Sequence, residues 1–197
     1  MSLSLALVLA LAPLARAAGP VGSDLGAEVK WDILAAAKHA RSEVADACLW
    51  KAEAHLEPKG DRFIGHFWSE KEGAYYQSYI SAPSEVPSDL DKGDVGVSPV
   101  CIRDVPIGAD RAIAISMKHG LKLGVAPRVS LELIKLEKES MGDGQFVYNN
   151  VRAARGRLVW IVVPDEMTDL RNAWIIDAVA GRFIAHGDYT SVPMDGD

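Results

Sequence analysis

Histidines, cysteines and paired carboxylates are the residues of this chain that could do chemistry, and they are spread thinly. There are five histidines, His39, His55, His66, His119 and His186, and two cysteines, Cys48 and Cys101. His55 and His66 fall in adjacent strand-like stretches and could face each other across a sheet. Two imidazoles are too few for a metal centre, which draws three or four ligands. His39 and His119 each follow a lysine inside a helical pattern, a placement that suits structure. A cysteine nucleophile needs an imidazole and an electropositive setting beside it, and neither is visible in the sequence.

The carboxylates are equally unpromising. Asp89, Asp91 and Asp94 offer oxygens in "DLDKGDVG". An EF-hand loop, however, needs Asp first, Gly sixth and a bidentate Glu at its end, so the stretch reads as solvated linker. Asp165 and Glu166 fall in a hairpin connection, where acids are ordinary turn residues. "MGDGQ" opens no helix and so makes no phosphate cradle. The chain contains no G-x-S-x-G elbow, P-loop or G-x-G-x-x-G. The expectation is no enzyme: no catalytic residues, no cofactor and no metal. The enzyme alternative is an unrecognised hydrolase built on His55, His66 and nearby acids.

Composition narrows the class. The chain has 197 residues, 49% hydrophobic and 24% charged, with a net charge of -6. That is globular, and the acidic balance argues against nucleic acid, whose phosphates call for a basic face. "LSLALVLALAPLA" is almost wholly apolar, and Ala15-Arg16-Ala17 follows as a small-x-small cleavage site. The pair reads as a secretory signal over residues 1–17, too short to span a bilayer. No later stretch is a membrane span, so the expected location is periplasmic or extracellular. In an oxidising compartment Cys48 and Cys101 are expected to pair, closing a loop of about 50 residues and stabilising by roughly 4 kcal/mol.

The elements that would position these residues come in two similar sets. "ILAAAKHARSEVADACLWKAEAHL" and "IAISMKHGLKLGVAPRVSLELIKL" both carry Lys-His at the same depth, and each passes from helical to strand periodicity. Val29, Ile33, Ala36, Ala37, Ala40 and Val44 recur at helical spacing. The second helix has Asp110 as its N-cap, with Ile113 and Met117 on one face and Gly120 and Gly124 at its end. Cys48, Trp50, Ala52, Ala54 and Leu56 alternate as a strand, and so do Val129, Leu131 and Leu133. "GDRFIGHFW" then resembles "GRLVWIVV", and "AYYQSYIS" resembles "AWIIDAVA". The predicted fold class is α+β, helix-strand-strand-strand twice, each helix packed on an antiparallel sheet. The predicted units are 24–82 and 110–190, with a Pro-, Gly- and Ser-rich linker over 83–109. A long loop over 138–156 interrupts the second unit.

The last hairpin is apolar on both faces. Leu158, Trp160, Val162, Trp174 and Ile176 form one face; Val159, Ile161, Val163, Ile175 and Val179 form the other. One face can take a helix, and the other needs a cover as well. Trp160 and Trp174, with Tyr75, Tyr76 and Tyr79, are therefore candidate binding-surface residues, since Tyr and Trp bring area with a polar handle.

"GRLVWIVVPDE", a loop and "NAWIIDAVAGRFI" resemble the C-terminal hairpin of PepSY domains. There a W-x-V-x-V strand precedes a strand ending in an Asp-Ala-x-x-Gly turn. Trp160, Val162, Asp177, Ala178 and Gly181 carry the likeness, which covers roughly 110–186 and, more faintly, 29–81. In the first set, Ser78 and Ala82 stand where Asp177 and Gly181 would map. The resemblance implies an exported, non-catalytic module that modulates or inhibits a peptidase, and it carries over no catalytic residue. Asp177 and Gly181 are expected to be turn-structural, the carboxylate accepting backbone N–H groups and the glycine supplying a permissive backbone. The sequence thus points to an exported protein that binds a protein partner, possible homodimerisation included. A small apolar-ligand binder is the alternative.

Overall fold

The computed structural model describes residues 25–58, 60–81, 87–93, 100–135, 156–164 and 172–187. The expected signal, the loop over 138–155, and Asp165 and Glu166 lie outside them. The described residues form an α+β fold of two helices and one antiparallel sheet. The elements are α1 (Val29–Glu43), β1 (Cys48–Leu56), β2 (Arg62–Ser69), β3 (Ala74–Ser81), β4 (Asp91–Gly93), α2 (Ala109–Lys118), β5 (Val129–Lys135), β6 (Leu158–Pro164), β7 (Ala173–Asp177) and β8 (Arg182–Gly187). The eight strands run in the order β4-β3-β2-β1-β5-β6-β7-β8. The seam between β1 and β5 pairs Ala52 with Leu133, Glu53 with Glu132 and Ala54 with Leu131.

Both helices bury an apolar stripe on one face of this sheet. α1 contributes Val29, Ile33, Ala36 and Ala40; its small residues let the helix approach the strands closely. α2 contributes Ala109, Ala112, Ile113 and Ile115. Beneath them lie Leu49, Phe63, Phe67, Leu131, Leu133, Trp160, Trp174 and Ile176, all in one core. Full burial of such side chains stabilises by about 1.5–3 kcal/mol each. Asp110 lies inside the first turn of α2 rather than capping it; Gly108 is the N-cap. Met117 is 37% exposed, and Ser116 takes its place on the buried face, donating to Ala112 O at 2.9 Å. Gly120, at φ +100, ends the helix in a Schellman turn, with Leu121 N–H returning to Ser116 O at 3.0 Å and Gly120 N–H to Met117 O at 3.2 Å.

In β1 the register shifts between Leu49, opposite Phe67, and Lys51, opposite His66, leaving Trp50 as the extra residue of a bulge. Leu49 therefore faces the core with Ala52, Ala54 and Leu56, and the expected alternation through Cys48 and Trp50 is displaced by one. Residues 91–93, within the expected linker, form β4 against Tyr75–Gln77. Farther along that linker, Cys101 is bonded to Cys48. β8 is a strand beyond the predicted three, paired with β7.

Candidate functional site

The sheet face turned away from the helices carries a cluster of polar and charged side chains on β1, β2, β3 and β5. Antiparallel register sets Glu53 beside His66 and Lys51 of the neighbouring positions, and opposite Glu132 across the seam. Two like charges directly opposite each other are destabilising. Lys51 resolves the conflict: its Nζ lies 2.8 Å from Glu53 Oε1 and 3.1 Å from Glu132 Oε1. Lys51, Glu53 and His55 share this face by simple strand alternation, opposite the buried Ala52, Ala54 and Leu56.

A chain of polar contacts runs outward from Glu53 through β2 to β3, hydrogen-bonded from His66 onward. The Tyr79 hydroxyl donates to Gln77 Oε1 at 2.6 Å. That orients the Gln77 amide nitrogen toward His66 Nδ1, 3.2 Å away, and Tyr75 Oη contacts the same nitrogen. His66 Nδ1 is then the acceptor, and the proton sits on Nε2. Nε2 lies 3.0 Å from Glu53 Oε1, although it is not aligned for a hydrogen bond. His55 Nδ1 is 3.0 Å from Ser130 Oγ, and its Nε2 is 3.9 Å from Glu53 Oε2, beyond bonding length. Trp50 packs edge-on against His66 and Tyr75 at centroid distances of 5.7 and 5.9 Å.

These contacts fix the charge states. Burial pushes the Glu53 carboxyl up, but the two imidazoles and Lys51 outweigh it and hold the carboxyl far below the usual range. Burial pushes Lys51 down, but Glu132 and Glu53 outweigh it and hold the ammonium well above its usual range. Tyr75 is pushed up, chiefly by burial. The cluster presents a pattern of charges and donors on this face. Lys51, Glu53 and Glu132 keep side-chain exposures of 21%, 25% and 16%, so the pattern is half-buried yet reachable. Among the described residues, no three His, Cys, Asp or Glu side chains are placed to hold a metal ion.

The other sequence-predicted residues lie elsewhere. Trp160, Trp174 and Tyr76 are buried at 1%, 6% and 6% on the helix side rather than on an exposed sheet face; Tyr75 and Tyr79 are on the network face. The indoles are satisfied by backbone: Trp160 Nε1–H donates to Ile107 O at 2.7 Å and Trp174 Nε1–H to His119 O at 3.0 Å. Tyr76 donates to Glu72, which pushes the phenol up to about 12. The second face of the last hairpin, Val159, Ile161, Val163, Ala173 and Ile175, is also buried; Val179 is exposed in the turn. Asp177 Oδ1 accepts the N–H groups of Val179 (2.9 Å) and Ala180 (2.8 Å), Oδ2 takes Arg157 Nη1 at 2.8 Å, and Gly181 sits at φ +61. Lys51, Gln77 and Glu132 were not singled out in the sequence. Only the strand register that unites them could have found them.

Among the described residues, the fold is thus an antiparallel sheet with helices on one face and, on the other, a polar network over β1–β3 and β5 beside a buried apolar cluster on β6 and β7. No protein-family model and no curated protein matches the chain. Among solved structures, a "putative lipoprotein" from Clostridium difficile 630 is similar with a TM-score of 0.50, covering 74% of this chain and 85% of that one. Sequence identity is 10%, so the likeness is one of fold. Among the described residues, no helix is long and apolar enough to cross a membrane.

Proposed function

We propose that this is an extracytoplasmic, non-catalytic binding protein, built from two divergent PepSY-like copies, that engages a protein partner through the network face. The observation that carries it is the Lys51–Glu53–Glu132 cluster with its His66–Gln77–Tyr79 extension. It is preordered and charge-compensated, it is reachable from solvent, and Tyr75 and Tyr79 accompany it. Preordered donors and aromatic area are what protein interfaces use, because little entropy is lost when they dock. The Cys48–Cys101 bond supports a periplasmic or extracellular setting, where disulfides persist.

Support for duplication comes from element order. α1-β1-β2-β3 and α2-β5-β6-β7 each run outward from the β1–β5 seam. The motif residues behind the PepSY-like reading, Trp160, Val162, Asp177 and Gly181, lie on β6, β7 and the turn after it. A peptidase is the partner class the resemblance suggests, and a second copy of this chain is the other.

The test is capture from an envelope extract of the native source. Immobilised wild type should retain a partner that a Gln77→Ala/Tyr79→Ala variant of equal melting temperature loses. Equal capture by both, or no capture together with hydrolysis of a peptide substrate, would contradict the proposal.

A further inference from the structure

On the helix side, opposite the network face, a groove of about 280 Å³ opens between α1 and residues 102–109. Its floor is apolar, made by Leu49, Ile102 and Trp160. Lys30, Leu34, Ala37 and Arg41 form one stripe along its α1 wall, a cation at each end and apolar side chains between. Leu34 is 52% exposed there, although it is a large hydrophobe.

The facing wall is fixed in place. Cys101, which precedes it, is bonded to Cys48, and Ile102 N–H donates to Leu49 O at 2.6 Å. At its far end Ile107 N–H donates to Ala178 O at 3.1 Å, and Ile107 O accepts the Trp160 indole at 2.7 Å. The groove therefore exists before any ligand arrives, which lowers the ordering cost of binding. Its charge runs against that of the whole chain. The protein carries -6, yet the rim sets Lys30, Arg41 and Arg103 against the single acid Asp104. None of the three cations forms an ion pair with another described residue.

We infer that this groove binds a small anionic amphiphile, a single carboxylate on an aliphatic body. The body lies over Trp160 and Leu34, and the carboxylate sits at the rim of Lys30, Arg41 and Arg103. The volume falls just below the usual range of ligand pockets, about 300–1,000 Å³, which favours one short chain over a two-chain lipid. Asp104 in the same rim disfavours a more highly charged head group. This site does not depend on the network face or on a protein partner.

The experiment is a titration of the intact, oxidised protein with octanoate, reading the Trp160 indole N–H by heteronuclear NMR, with 1-octanol and octyl phosphate as comparators. Octanoate should shift that signal saturably and bind more tightly than either comparator. Arg41→Gln/Arg103→Gln, at two exposed positions, should weaken octanoate by about tenfold or more while leaving octanol unchanged. The inference fails if octanoate does not saturate, if octanol or octyl phosphate binds as tightly, or if the double variant binds octanoate like wild type.

Discussion

Asp177 bonds two backbone N–H groups and one guanidinium from a position just before the turn. Burial pushes its carboxyl up, but the N–H groups of Ala180 and Val179 and the Arg157 guanidinium outweigh it and hold it below the usual range. A group whose folded pKa is depressed contributes stability above its unfolded pKa and loses it as pH falls through the folded value. Asp177→Ala should therefore lower stability by about 1–3 kcal/mol at neutral pH. The gap in melting temperature between variant and wild type should narrow below about pH 4. Partner capture should survive the change, and capture lost at unchanged melting temperature would show a binding role instead. Glu53 follows the same sign. Glu53→Gln should destabilise at neutral pH, with Lys51 left facing Glu132 alone, and the difference should shrink as acid protonates the wild-type carboxyl. The role of Asp177 was legible because an Asx-type turn is local. The role of Glu53 was not, since two of its neighbours, His66 and Glu132, arrive from two other strands, β2 and β5.

At the scale of elements, helical and strand periodicity located α1, α2 and the main strands, because each buries one continuous apolar stripe. What periodicity missed has identifiable causes. The bulge at Trp50 inserts a residue without altering composition, so Leu49 changes face unannounced and Trp50 leaves the core. β4 is three residues long and mostly exposed, so it carries no apolar signal. The indoles of Trp160 and Trp174 read as surface because the hairpin is apolar on both sides and sequence alone cannot say which face the helices take. The core of β2 is close-packed where the sequence shows only a glycine. A Cβ on Gly65 would come within 2.8 Å of the fully buried Phe67 ring. Gly65→Ala should cost about 1–3 kcal/mol in denaturant unfolding, as overpacked cores do. An unchanged midpoint would mean that the Phe63–Phe67 layer yields more easily than its burial implies.

For the whole molecule, one sheet joins what the sequence presented as two units. β1 and β5 meet at its centre, and the Cys48–Cys101 bond, 53 residues apart, ties the connector back to β1. A Cys48→Ser/Cys101→Ser variant should lose about 2–5 kcal/mol of stability, read by thermal unfolding. The helices cover one face of that sheet, and the other, which carries the charge network, is the binding face in the function proposed above. Site-specific photo-crosslinking tests this claim most directly. A photoreactive residue at Tyr79, on the network face, is compared with one at Lys38, on the outer surface of α1, in the native envelope. The account predicts a discrete crosslinked protein from position 79 and none from position 38. Crosslinking from position 38 alone, or from neither, would contradict it.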